Sequence, residues 1–193
     1  MRVDGLWKTG RCHGRDVFPR GSTDSVRPSR YNVAVPFVVR DFENDDFDLL
    51  WRLDQACFPP GIAYSREELK SYVRHRRAFT LVAAEAGVDA KEGKAGKSGK
   101  IAGFIVLHSG PSGHVITIDV DSSARRSGVG SLMLQAAEDR LRAGGSRAVG
   151  LETAVDNLAA LSFYKRHGYS VVRTWPRYYS NGVDALVMKK ELT

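Results

Sequence analysis

The chain is constrained most tightly at Arg125-Arg126-Ser127-Gly128-Val129-Gly130, where an apolar run from His114 to Asp121 gives way to residues with helical spacing. A turn that leaves a buried strand and opens a helix gathers several free backbone N–H groups at the positive end of the helix dipole, and such a turn wants an anion. The glycines let the backbone approach a bulky phosphate and adopt angles that a side chain forbids, while Arg125 and Arg126 add positive charge. Glycines placed for turn geometry alone would give the same local pattern. Two other phosphate motifs fail at this turn: no GK[ST] follows its glycines as a Walker loop requires, and Met133 stands where a dinucleotide fingerprint needs its third glycine.

The elements around this turn follow from periodicity. Phe37 to Arg40 predicts a first strand, and Phe47, Leu50, Leu53 and Cys57 a first helix. The loop FPPGIAY, Phe58 to Tyr64, ends that helix, and Ser65 with Glu68 forms a capping box for a second helix running to about Arg76. Phe79 to Ala84 and Ile101 to Leu107 predict a hairpin, with residues 85–100 as a long flexible tip. After the turn, Val129, Leu132, Met133, Ala136 and Ala137 predict one helical stripe, stopped by Gly144 and Gly145. Ala148 to Thr153 predicts a strand and Asn157 to His167 a helix closed by Gly168, before two strands flanking Ser180-Asn181-Gly182. Residues 1–35 carry no apolar period and are expected to be a disordered basic extension, leaving 36–193 as one domain.

Beyond the turn, Asn157 is a good helix cap, and Tyr164, about two turns and roughly 10 Å further on, shares nearly the same face. One ligand could touch both. Glu152 ends the preceding strand, where a carboxylate can face a cleft. Singly, these residues are equally explained as a cap, a half-buried packing tyrosine and a solvated strand end.

Together the motifs resemble the GNAT superfamily of acyl-CoA N-acyltransferases: [RQ]xxGx[GA] at Arg125, Gly128 and Gly130, and NxxAxx[FL]YxxxG[FY] at Asn157, Ala160, Phe163, Tyr164, Gly168 and Tyr169. The resemblance covers about residues 37–190. It implies an α/β fold, a mixed and strongly curved sheet of six or seven strands with helices on both faces, splayed between the fourth and fifth strands. It also implies acetyl-CoA as co-substrate, bound by Arg125, Arg126, Ser127, Gly128, Val129, Gly130 and Ser131 with the backbone of Arg126 to Gly130 holding the pyrophosphate, and its pantetheine paired with Asp119 and Val120 like an added strand. Asn157 would hold that arm from the other side. Tyr164 would reach the thioester sulfur as the acid, with Glu152 as the base and the Val120 amide facing the developing oxyanion.

Within the superfamily the chain is most similar to RimI-type ribosomal-protein alanine N-acetyltransferases and their eukaryotic N-terminal acetyltransferase relatives. Glu152 precedes Tyr164 by twelve residues, the first loop begins FP and ends in Tyr64, and the last hairpin reads RYYSNGVDALVM. The resemblance implies that Phe58, Tyr64, Tyr178 and Tyr179 clamp a peptide's first residues, with a peptide or protein N-terminus as partner, a ribosomal protein's being one candidate. The paired tyrosines equally suit a sheet-edge aromatic pair. His114 falls where some eukaryotic relatives place a catalytic tyrosine, or is a surface histidine at a strand end. Pro60, Gly61 and Ile62 depart from the bacterial FPWS loop, and the 85–100 insertion is longer than the usual hairpin.

Composition limits the alternatives. The net charge is +7, but residues 1–30 hold seven basic residues against three aspartates, so the domain itself is only mildly basic. No recognition motif accompanies the charge, and direct nucleic-acid binding is not expected. Cys12 and Cys57 form no metal or disulfide framework, so no metal is expected. No apolar run approaches the ~20 residues that cross a bilayer, and no secretory signal opens the chain, so the expected compartment is the cytoplasm. Two other readings share these features: a GNAT enzyme acting on a small-molecule amine or a lysine side chain, and a non-catalytic acyl-CoA-binding module.

Overall fold

The computed structural model describes residues 37–58, 62–86, 99–179 and 181–193. The expected disordered extension at 1–35, the tip of the hairpin insertion at 87–98, the loop residues 59–61 and position 180 of the last turn lie outside the described residues.

Seven strands form one sheet: β1 (Phe37–Asp41), β2 (Ala78–Glu85), β3 (Ile101–His108), β4 (Ser112–Val120), β5 (Ala148–Ala154), β6 (Ser170–Trp175) and β7 (Ala185–Glu191), in the order β1-β2-β3-β4-β5-β7-β6. Helices α1 (Phe47–Cys57), α2 (Arg66–Val73), α3 (Val129–Ala143) and α4 (Leu158–Arg166) connect them. Every neighbouring pair is antiparallel except β4 and β5, which α3 joins as a crossover. That parallel pairing lasts three residues, Ser112↔Ala148, Gly113↔Val149 and His114↔Gly150. Beyond it the strands part, opening the sheet in the middle.

Alternation along the strands sorts the core into two layers. Leu81, Ile105, Leu107, Val115, Val149 and Leu151 face α3 and α4, whereas Val82, Phe104, Val106 and Ile116 face α1 and α2. Helices therefore cover both faces. The side toward α1 and α2 also carries His108, His114 and Glu152, since each is offset by an odd number of residues from a neighbour on the α3 side.

Some expectations are corrected. The second helix stops at Val73: the Arg74 N–H still reaches Lys70, but the His75 N–H bonds Tyr72, tightening the last turn before Arg76 is reached. Its capping box is present, with Ser65 accepting from the Glu68 N–H and Glu68 accepting from the Ser65 N–H. The buried stripe of α3 is Val129, Met133, Leu134, Ala137 and Leu141, whereas Leu132 is 40% exposed on its flank. The strand expected from His114 begins at Ser112, because Ser112 and Gly113 pair with β5, and it ends at Val120, because Asp121 turns away to cap a short 3-10 turn through Ser123.

Gly103 on β3 shows how closely the sheet packs beside the opening. A Cβ there would lie 2.6 Å from the Asp119 carbonyl oxygen and 2.8 Å from Met133 Cε. The methionine can swing aside, but the carbonyl belongs to β4. Gly103→Ala is expected to cost about 1–3 kcal/mol in urea unfolding, as overpacking does, and to weaken binding at the opening by moving β4.

Candidate active site

Three elements meet where β4 and β5 part. On the α3 side they line a cleft of about 430 Å³ formed by Ile118 and Val120 of β4, the turn and first residues of α3, and Asn157, Ala160, Phe163 and Tyr164. Phe58 reaches it from the end of α1.

The turn is built as the sequence implies. Arg126 has φ 64° and Gly128, the residue before α3, has φ 92°. A Cβ on Gly128 would meet nothing within 4 Å, so the glycine serves backbone conformation and open approach. The first helical bond runs from Leu132 N–H to the Gly128 carbonyl, leaving the amides of Val129, Gly130 and Ser131 outside the helical ladder. Ser127 Oγ donates to the Ala124 carbonyl at 2.6 Å. Arg126 is exposed, but Arg125 is pinned: its Nε donates to the Val120 carbonyl at 3.2 Å, which the Cys57 thiol also reaches at 3.4 Å. These residues form a positive, glycine-opened cradle suited to a pyrophosphate.

The strand wall is offset from the expectation by one residue. Asp121 N–H bonds the Ala102 carbonyl, and Asp119 faces Phe104 in the same antiparallel register. By the alternation of such ladders, Asp119 turns its amide toward β3, whereas Ile118 and Val120 turn theirs toward the opening. An added strand-like arm would pair with those two.

Asn157 is buried and caps α4, its Oδ1 accepting from the Ala160 N–H at 3.1 Å. Tyr164 is 1% exposed, far from a half-buried packing residue, and its hydroxyl has no hydrogen-bond partner among the described residues. Burial, then the charge of Asp119 and the nearby Tyr179 phenol, hold that hydroxyl well above the ordinary phenol value. Phe163 packs edge-on to Tyr164 and lies 3.5 Å from where a Gly130 Cβ would sit, an ordinary van der Waals contact that a small side chain could make.

Glu152 is 4% exposed, not a solvated strand end. Its Oε2 lies 2.9 Å from Nε2 of His114, whose side chain is 27% exposed. The His114↔Gly150 pairing brings the two together at the foot of the opening. Tyr179 is buried against Ala154 and Ala185, while Tyr178, edge-on to it, is partly exposed beside Trp175. Tyr64 is not brought to the cleft. It is 1% exposed within the α1–α2 layer, its N–H on Asp54 at 2.8 Å and its ring against Tyr72.

Two features escaped the sequence. The Asp119 side chain is buried and accepts from Thr117 Oγ1 at 3.3 Å, so a second carboxylate stands near Tyr164. The His114–Glu152 contact depends on the register of two parallel strands, which strand periodicity alone does not supply. Among the described residues, no group of three His, Cys, Asp or Glu side chains is placed to hold a metal, and no helix is long and apolar enough to cross a membrane.

Comparison with known proteins agrees with this architecture. An N-alpha-acetyltransferase of Sulfurisphaera tokodaii is 26% identical over 168 residues, covering 80% of this chain and 92% of its own. N-alpha-acetyltransferase 30 of Schizosaccharomyces pombe is 36% identical over 81 residues, 41% of this chain, and the match spans about half, 54%, of that relative. Among solved structures, Ard1 from Thermoplasma volcanium superposes with a TM-score of 0.69 at 25% identity, over 81% of this chain and 98% of its own. The Escherichia coli ribosomal-protein-S18-alanine N-acetyltransferase shares the fold, with a TM-score of 0.68 at 20% identity over 82% and 95% of the two chains. The family profile described as acetyltransferase (GNAT) matches residues 47–169, from the first helix to the end of the second motif, and the chain belongs to that family.

Proposed function

We propose that this chain transfers the acetyl group of acetyl-CoA to the α-amine at the N-terminus of a protein or peptide. The observation that carries this reading is the Glu152–His114 pair, 2.9 Å apart on the sheet face opposite the cleft. A cofactor entering between α3 and α4 and an acceptor arriving from the α1–α2 side would meet at the opening. The names of the archaeal and yeast relatives support an α-amine as acceptor. A ribosomal-protein N-terminus is the finer form of the proposal, supported by the sequence resemblance, and the cytoplasm is its compartment.

Bound acetyl-CoA supplies an activated acetyl carbon. The α-ammonium titrates near 8 and cannot attack while protonated. Glu152, buried and held by His114, accepts its proton and fixes the amine toward the opening. The Val120 N–H is turned toward the same space and stabilises negative charge on the acetyl oxygen, while its carbonyl is held by Arg125 and Cys57.

Tyr164 acts as a hydrogen-bond donor to the departing sulfur. A thiol ordinarily titrates near 8.5 and a phenol near 10, and the Tyr164 phenol is raised further. Handing its proton to a thiolate is therefore uphill, so the phenol keeps the proton and stabilises the sulfur through the hydrogen bond. This role differs from full protonation by Tyr164, the role first expected of it. The neighbouring Tyr179 and Phe58 form the apolar walls of the meeting point, and Tyr178 the acceptor-side rim.

Glu152→Gln is expected to lower kcat about a hundredfold with acetyl-CoA affinity unchanged, as for a lost general base. Tyr164→Phe should lower kcat about tenfold to a hundredfold, the worth of a hydrogen bond to charge. Because the raised phenol stays protonated, the wild-type kcat should show no alkaline fall assignable to Tyr164 up to pH about 10. An unchanged kcat in Tyr164→Phe would remove the donor role.

The deciding experiment measures CoA release with peptides differing at residue one, the same peptides with blocked N-termini, a peptide with only an internal lysine amine, and spermidine. Turnover on free N-termini, lost on blocking, is expected. Turnover confined to spermidine or lysine would replace the acceptor, and CoA binding without turnover on any amine would replace catalysis by binding.

A further inference from the structure

The face that carries Glu152 also carries a row of imidazoles leading away from it. His114 of β4 lies 2.9 Å from Glu152. His108 of β3 is its direct antiparallel partner, so the two side chains stand on one face of adjacent strands. The His75 ring, just past the end of α2, stacks on His108 with centroids 4.3 Å apart and planes at 29°. Exposure rises along the row: Glu152 is buried, His114 and His108 are half-buried, and His75 is exposed.

We propose that His108 and His75 form a proton exit, carrying to solvent the proton that each turnover leaves at Glu152 and His114. This inference rests on the acetyl-transfer reading above. Acylation of an ammonium group forms one N–C bond and breaks one C–S bond. The nitrogen gives up two protons, the departing thiolate takes one, and one must leave. An acceptor seated at the opening would shield the 27% of the His114 side chain that is exposed, and the row then offers a route out through the protein.

Imidazole suits this task because one ring nitrogen accepts a proton while the other releases one. The stacked rings of His108 and His75 share no direct hydrogen bond in that orientation, so the last hop uses a bridging water or a ring rotation. His75 also accepts from the Arg77 N–H at 3.3 Å, which holds its ring over the row. The titratable and charged groups facing His108 are His75 and Arg77 from the segment after α2 and His114 from β4. Burial first, and then these three, push the His108 imidazole down to about 4. At neutral pH it passes a proton without storing it.

The test compares wild type, His108→Phe and His75→Gln at saturating acetyl-CoA and acceptor, in dilute buffer and with added imidazole. His108→Phe should lower kcat about tenfold in dilute buffer, leave both KM values unchanged, enlarge the solvent isotope effect on kcat, and recover with saturation as imidazole is added. His75→Gln, at an exposed position where folding is not at risk, should show a smaller loss with the same recovery. Thermal unfolding of each variant identifies a loss of fold. Equal kcat for wild type and His75→Gln at every buffer concentration, or losses in folded protein that imidazole does not restore, would overturn the exit. Any primary amine releases the same proton, so if α-amines fail and another amine turns over, the acceptor assignment falls and the buffer comparison decides the exit on that amine. Silence on every amine ends both proposals.

Discussion

The structure depends on a pairing that stops. β4 and β5 run parallel for three residues and then separate, so two adjacent strands in the middle of a sheet leave backbone groups unpaired with each other. Unpaired amides in a protein interior are costly. The fold bears that cost by giving the Val120 carbonyl to Arg125 and Cys57 and by leaving the neighbouring N–H groups beside a cleft where a strand-like ligand can reach them. The crossover helix α3 follows from the same geometry. Parallel neighbours need a long connection, and the end of that connection nearest the opening is the helix N-terminus with its free amides.

Polar side chains collect at the separation for a related reason. Thr117, Asp119, Glu152, Thr153, Asn157 and Tyr164 are all buried there, in a region that uninterrupted pairing would have made apolar. Their arrangement keeps the functions apart. Asn157 is used by its helix, Glu152 by His114, and Tyr164 is surrounded by groups that favour its neutral form. Lys190 and Tyr169, both on Glu138, anchor the far side of α3 to β7, away from the opening.

Much of this was legible in the sequence because its signals are local. The glycine turn, the capping box at Ser65, the cap at Asn157 and the strand alternation each depend on residues a few positions apart, and all seven strands and four helices follow from them. What was not legible depends on register. The His114–Glu152 contact, the turning of Ile118 and Val120 rather than Asp119 toward the opening, and the burial of Tyr64 beneath α2 are set by which strand or helix lies beside which. Leu132 failed for a subtler reason: it fits a helical stripe as well as Leu134 does, and only the position of the sheet under α3 decides between them.

The shared hold on the Val120 carbonyl has a consequence of its own. One of its donors belongs to the turn before α3 and the other to the last residue of α1, so two segments far apart in the sequence are fastened to a single atom. Quieting the turn quiets the end of α1, and with it Phe58 next along the chain. A ligand that ordered the turn would thus lower the cost of ordering Phe58, and such a coupling is reciprocal by thermodynamic necessity. Two segments more than sixty residues apart in the chain are in this way settled together.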